Sequence, residues 1–309
     1  MNKQTTIHNS VSCSGVGLHS GKEVRVTLYP AAANHGIVFK RVDVDKKKAT
    51  IPARYDLVTE TRLGTTLTNK HGVSLATVEH LMAALWGAGV DNVLIEVDGP
   101  EVPIMDGSSE PFMFMLECAG VKHLSAPRAV LKLLKTVEVR DGESIARVSP
   151  NVEGEEGCVI DIAIEFAHDA IRRQVASYDF RNVTFKQALS RARTFGFEHE
   201  VQAMRKAGLA LGGSLDNAIV VGKDGVLNKE GLRYDDEFVR HKALDCLGDL
   251  YLAGLRIDGH FDFTRPGHAI NNALLRAVLA DESAYCITKA DKIPSPAFVA
   301  PAEQAPAYA

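Results

Sequence analysis

Polar and apolar positions alternate over Val24 to Leu28, and Gly36 to Phe39 is a short apolar run; both patterns predict β-strands. The period then changes. From Val73 to Ala88 the residues Leu75, Val78, Leu81, Met82 and Leu85 recur at helical spacing, with Ser74 or Thr77 as a cap and Gly87 and Gly89 as a stop. Val93 to Val97 reads as a strand, and Asp106-Gly107-Ser108-Ser109 as a turn that caps a second helix, Glu110 to Ala119. The stretch from Gly120 to Arg128, containing Ser125, Ala126 and Pro127, reads as a linker. Beyond it come strands over Val130 to Arg140, Ile145 to Val148 and Val159 to Phe166, then a helix over Phe185 to Ala192. A glycine-rich insertion with its own short helix and strand follows at residues 195–225. Asp235 to Ala253 is a strongly amphipathic helix, Leu255 to Phe263 a strand, and His268 to Ala280 a helix behind Pro266 and Gly267.

The same order appears twice: strands, a helix ending in Ala-Gly, a strand, a loop, a helix. EHLMAALWGAGVDNVLIEV carries it in the first half and RHKALDCLGDLYLAGLRIDGHF in the second. The expected fold class is therefore α+β, with two similar domains from an apparent duplication, residues 1–124 and 129–292, and the active site between them. The tail, residues 293–309, is rich in Pro and Ala and is expected to be disordered. An uncharged end such as APAYA suits engagement by a processive protease, which would let it set cellular half-life.

Composition narrows the classes. At 46% hydrophobic and 24% charged residues the 309-residue chain is ordinary for a globular protein. A net charge of −4 gives no global electrostatic case for nucleic acid. No apolar stretch has the length of a signal peptide or a membrane span. The five cysteines show no CxxC spacing, which argues against a disulfide framework and a thiolate zinc site. A cytoplasmic protein is expected.

The chemistry lies in three places. His241 and Asp245 are four apart on the long helix, on one face, as HExxH enzymes present two ligands to one metal. Glu79-His80 offers the third ligand, and two histidines with a carboxylate form a catalytic zinc set that leaves a position for water. A zinc ion so held brings the pKa of water down to about 7. Glu79, beside ligand His80, is placed to act as general base. His268, at a helix start, is placed to act as general acid, with Asp249, one turn beyond Asp245, holding it protonated. Plainer readings exist for each piece. A lone His-x-x-x-Asp is more often a surface pair, His268 alone could cap its helix, and Asp249 could be an exposed charge. Glu-His inside an apolar helix is harder to dismiss, because burying both without partners is costly. Other signals fail: GVGLHSG is not GxGxxG, Gly212-Gly213-Ser214 lacks a P-loop lysine, and no serine has a GxSxG setting.

Seven stretches resemble the UDP-3-O-acyl-N-acetylglucosamine deacetylases, the zinc amidases of lipid A biosynthesis in Gram-negative bacteria. They are GVGLHSG (15–21), TVEHLMAAL (77–85), PIMDGSS (103–109), SRARTFGF (190–197), GLALGGSLDNAIV (208–220), FVRHKALDCLGDL (238–250) and GHAINN (267–272). The resemblance runs from about residue 2 to 290. It implies one Zn²⁺ held by His80, His241 and Asp245, Glu79 as base, His268 as acid, Asp249 as its orienting carboxylate and Thr194 as a hydroxyl serving the oxyanion. It further implies that Lys242, Phe195, His19 and Phe166 contact the UDP-linked, acylated glucosamine, and that the insertion forms an acyl passage from Met204, Leu209, Ala210, Leu211, Leu215 and Val220. The acyl chain and the pathway imply peripheral work at the inner membrane face. Two alternatives stand beside this one: another zinc amidase or peptidase, and a non-catalytic sugar-nucleotide-binding protein with a structural metal.

Overall fold

The structure, a computed structural model, describes residues 3–289, so the tail at 293–309 and its suggested protease lie outside the described residues. Six α-helices are described: α1 (Glu79–Ala88), α2 (Glu110–Ala119), α3 (Phe185–Ala188), α4 (Glu198–Lys206), α5 (Glu237–Leu250) and α6 (His268–Ala280).

Four helices, α1, α2, α5 and α6, accompany two principal sheets, while α4 packs on a small sheet formed by Phe195–Phe197, Ile219–Gly222 and Gly225–Val226. The first has the order Val11–Val16, Glu23–Pro30, Val93–Val97, Ile37–Arg41, Thr50–Pro52. Its middle strand, Val93–Val97, runs antiparallel to Glu23–Pro30 and parallel to Ile37–Arg41. In the second sheet Arg256–Thr264 takes that place, antiparallel to Ser144–Ser149 and parallel to Cys158–Glu165. Val137–Asp141 and Arg173–Asp179 flank those two. Strand order and sense therefore repeat, with one helix before the middle strand (α1, α5) and one after it (α2, α6). This is the expected α+β architecture of two similar halves. The second sheet adds Ala129–Leu133 and Tyr285–Lys289 at the Arg256 end of its middle strand.

Local readings shift at several points, and the helix expected over Phe185 to Ala192 is the single turn Phe185–Ala188. The presumed linker is a strand, Val121–Pro127, paired antiparallel with Lys3–Ile7. A domain division close to Arg128 is the proposal that this pairing supports. The first long helix begins at Glu79 rather than Val73, because Ser74–Leu75 pairs with Thr66–Thr68 and Thr77 turns the chain at φ 58°. Neither Ser74 nor Thr77 caps it; Val78 is the N-cap residue and makes no side-chain cap bond. The run 130–140 is two strands, Ala129–Leu133 and Val137–Asp141.

All ten residues of α1 are buried, and the helix stops where Gly89, at φ 72°, returns its N–H to Leu85 O and Trp86 O. The second half closes over that end. Arg128 Nη2 donates to Gly89 O at 2.8 Å and Tyr251 Oη to Val90 O at 2.7 Å. A cation at a helix C-terminus is favourable, and these bonds tie the halves together. At its other end α1 meets α5 closely: a Cβ on Gly248 would lie 2.1 Å from Glu79 O, so only glycine fits.

Candidate active site

That contact brings the three sequence signals together. His80, on the first turn of α1, faces His241 and Asp245 of α5, and one donor atom of each lies within 4.8 Å of the others. Asp245 Oδ1 is 3.6 Å from His80 Nε2 and 3.4 Å from His241 Nε2. His241 Nδ1 faces Ala192 O at 3.1 Å, which orients its Nε2 toward the cluster. Lys242 Nζ donates to Asp245 Oδ2 at 2.9 Å, leaving Oδ1 as the free oxygen. That oxygen is buried and has no hydrogen-bond partner. An unpaired buried carboxylate oxygen is costly, and a cation between it and the imidazoles removes the cost. Two nitrogens and one oxygen, all buried, fit a divalent metal.

The candidate acid–base groups stand beside this cluster. His268 Nδ1 is 2.8 Å from Asp249 Oδ2, and its Nε2 is 3.8 Å from Glu79 Oε1. Burial alone would lower the His268 pKa, but Asp249, with help from Glu79, raises it to about 9. His241 moves the other way: burial lowers it to about 4, so at neutral pH its imidazole is uncharged, the form in which a ring nitrogen can bind a metal. Burial also pushes the Glu79 carboxyl above the usual carboxylate range, against the pull of His268. Burial would raise Asp245 too, yet His241 and Lys242 hold it well below that range.

A cleft of about 370 Å³ opens over these groups, and ten of the eleven residues singled out from the sequence line it. The exception, Asp249, lies behind His268. Phe195 packs edge-on against Phe166 and Phe238, with ring centroids 5.6 and 4.9 Å apart. His19 Nε2 is 3.3 Å from Leu63 O, and its backbone N–H is held by Glu101. Thr194 is fixed by its backbone, its N–H donating to Gly107 O and its carbonyl accepting from Ile219 N, each at 2.8 Å. Gly107, at φ 85°, approaches Asn217 O so closely that a Cβ would sit 2.2 Å away, which accounts for the glycine in PIMDGSS.

A second cavity, about 280 Å³, continues from the cleft through Leu18, Thr194, Phe195 and Met204 into the insertion. Of the six apolar residues expected along it, Met204, Ala210, Leu215 and Val220 are there. Leu209 instead lines a separate pocket beside Leu63, and Leu211 is 54% exposed on the outside. Apolar composition identified the segment; Leu209 and Leu211 flank the turn at Ala210, at φ 50°, and both lie off the passage. Gly212 lets this turn dock on Gly17, with Gly212 N–H bonded to Leu18 O at 3.0 Å.

Some participants were missed. Thr65 donates its N–H to Glu79 Oε2 at 2.9 Å and its hydroxyl to Asp249 Oδ1 at 2.5 Å. Asn271 Nδ2 donates to Asp249 Oδ2 at 2.9 Å. Arg193, between Ala192 and Thr194, is clamped by the fully buried Glu237 through Nε and its own N–H at 2.9 and 3.0 Å. Asn271 follows His268 by three and so shares its helix face, a signal that was available. Thr65 and Arg193 come from loops and carried none.

Fold and site together define an α+β protein with a buried candidate metal centre and an adjoining acid–base pair where two topologically alike halves meet. The model of one family, UDP-3-O-acyl N-acetylglycosamine deacetylase, matches residues 4–280. The chain is 49% identical to the UDP-3-O-acyl-N-acetylglucosamine deacetylase of Idiomarina loihiensis, over 92% of each chain. It is 48% identical to that of Stenotrophomonas maltophilia strain K279a over the whole of both, and 47% identical to that of Shewanella frigidimarina over 94% of each. This chain belongs to that deacetylase family.

Proposed function

We propose that this protein hydrolyses the 2-acetamido group of UDP-3-O-acyl-N-acetylglucosamine, giving UDP-3-O-acyl-glucosamine and acetate, a step of lipid A biosynthesis. The observation that carries the reading is the buried His80–His241–Asp245 cluster beside the Glu79–His268 pair, in a chain of this family. The donor set suits one zinc ion per chain. When bound, zinc supplies Lewis acidity toward the amide carbonyl and toward water.

The remaining chemistry belongs to the side chains. Glu79, its proton affinity raised by burial, accepts the proton of the attacking water. The Thr194 hydroxyl donates to the oxygen where negative charge develops. His268, raised to about 9 and therefore protonated at neutral pH, gives its proton to the departing amine; Asp249 keeps its Nδ1 bonded and its Nε2 turned to the cleft. Two histidines pushed apart in pKa thus take two roles, ligand and acid. Lys242, His19, Phe195 and Phe166 line the cleft as the surfaces that meet the nucleotide sugar, and the cavity through Met204 and Val220 takes the acyl chain. No described helix is long and apolar enough to cross a membrane. Our reading has the enzyme act in the cytoplasm, at the inner membrane face where its acylated substrate is handled.

The test is a deacetylation assay on UDP-3-O-acyl-N-acetylglucosamine with untreated protein, chelated protein, and chelated protein given one equivalent of zinc. Loss on chelation and recovery with zinc is the expected result. A folded, zinc-loaded protein with no turnover would sink the substrate assignment, and turnover that chelation leaves undiminished would sink the metal assignment.

A further inference from the structure

Thr65 is 1% exposed and touches both carboxylates of the acid–base machinery at once. Its backbone N–H donates to Glu79 Oε2 and its hydroxyl to Asp249 Oδ1. The other oxygen of Asp249, Oδ2, faces both Asn271 Nδ2 and His268 Nδ1. The Asp249 carboxylate therefore has one donor on one oxygen and two on the other. Among the described residues the Thr65 hydroxyl is the one donor on Oδ1, and with Asn271 on Oδ2 it fixes the roll that keeps Oδ2 on His268. The segment is shaped for this contact: Gly64, at φ 152°, passes Glu79 so closely that a Cβ would stand 2.8 Å from Oε1. That passage delivers Thr65 between α1, which carries Glu79, and α5, which carries Asp249.

We propose that Thr65 is a positioning residue for the reaction: its hydroxyl holds the Asp249 carboxylate in the orientation that aims His268 at the leaving group. The hydroxyl proton is spent on Asp249, so Thr65 does not meet the substrate. The hydroxyl acts on His268 through Asp249. The main-chain bond to Glu79 survives any substitution that keeps the backbone in place, so the two carboxylate contacts can be separated by mutation. This assignment rests on the reading of Glu79, Asp249 and His268 given above.

The experiment compares zinc-loaded full-length Thr65→Val, Thr65→Ser and Glu79→Gln with the parent. Readouts are kcat, KM, bound zinc and the downfield proton resonance of His268 Nδ1–H. Loss of one buried, charge-assisted orienting hydrogen bond is worth roughly 10- to 100-fold in rate. Thr65→Val is expected to lower kcat by that much, to leave KM and bound zinc unchanged and to shift the His268 resonance, and Thr65→Ser to restore most of kcat. Parent-level kcat in Thr65→Val overturns the assignment, as does equal impairment in Thr65→Val and Thr65→Ser, which would mean that any change of side chain at this buried position disturbs the site and that the hydroxyl has no part of its own. Should Thr65→Val fail to fold, Thr65→Ala reads the same quantities with the same meaning. Full activity in Glu79→Gln defeats the reading of the site itself. An inactive Glu79→Gln beside an unimpaired Thr65→Val defeats only the Thr65 assignment.

Discussion

α1 and α5 stand in equivalent places in two sheets of the same strand order, yet they hold their functional residues by different means. α1 contributes Glu79 and His80 from its first turn; every residue of the helix is buried, the Glu79 carbonyl is set against Gly248, and the polar holds are few: the Thr65 N–H on the Glu79 carboxylate and the Ser109 hydroxyl on the His80 carbonyl. The Nδ1 of His80 is buried without a hydrogen-bond partner. α5 presents His241, Lys242, Asp245 and Asp249 along its length, and each is gripped by a polar neighbour: Ala192 O, Asp245, Lys242 and the Thr65–Asn271 pair. One half supplies a rigid wall and the other a hydrogen-bonded array. A repeated scaffold can therefore carry an asymmetric site, because a helix fixed by packing tolerates few polar groups, whereas one lined by donors and acceptors can place several.

The same asymmetry marks the helices that follow. α6 begins with His268, while α2 begins with Glu110, which makes only a partly exposed ion pair with Arg191 at 3.4 Å. Exchanging both for alanine sharpens the comparison most. His268→Ala should lower kcat by roughly 10²- to 10⁴-fold, the usual worth of a positioned acid or base. Glu110→Ala should leave kcat unchanged and stability within about 0.5 kcal/mol. Steady-state rates on zinc-loaded protein decide it, and a comparable loss in both variants would refute the division of labour.

Next in size is the contact between the helices. A Cβ at Gly248 meets Glu79 O, a backbone atom that cannot swing away, whereas a Cβ at Gly87 of α1 meets the Phe185 ring at 2.2 Å. Gly248→Ala should cost at least about 1–3 kcal/mol of overpacking and, by displacing Glu79 and His80, weaken metal binding. Gly87→Ala should cost stability of similar order but spare metal affinity, because Phe185 lies away from the cluster. Denaturant melts paired with metal titration separate the two. Undiminished metal affinity in Gly248→Ala would show that α1 is not seated by this contact.

Much of this was readable along the chain, and the part that was not has a physical reason. Period-3.6 spacing grouped His241, Asp245 and Asp249, and a Glu-His pair in an apolar helix stood out because burial without partners is expensive. α6 begins at His268 as expected, since Pro266 and Gly267 leave few alternatives. What escaped depends on contacts across long separations. Thr65 reaches Asp249 over 184 positions, and Val121–Pro127 is a strand only because Lys3–Ile7 lies beside it. Composition marked the insertion as apolar but could not orient Leu209 or Leu211, which flank the turn at Ala210 and lie off the passage. Local pattern identifies elements and faces; register and loop delivery come from the assembled tertiary structure.

The smallest expected effect concerns the two histidines of the metal-free protein, again one treated differently from the other. His268 rises to about 9 in the fold, above an unfolded value of about 6.5. It adds stability that is fully present below pH 6.5 and is lost as pH climbs toward 9, because the folded state holds a proton the unfolded chain has released. His241 drops to about 4, so below pH 6.5 the unfolded chain takes a proton that the fold refuses, and stability falls as the pH moves down toward 4. Each limb should amount to about 1–2 kcal/mol at roughly 1.4 kcal/mol per pH unit, with relaxation of the site absorbing part of the full shift. Urea melts of chelated protein from pH 4 to 9 should show His268→Asn flattening the alkaline limb alone and His241→Asn the acid limb alone. If both substitutions flatten the same limb, the opposed environments inferred for the acid and the ligand are wrong, and with them the assignment of His268 as the protonated partner.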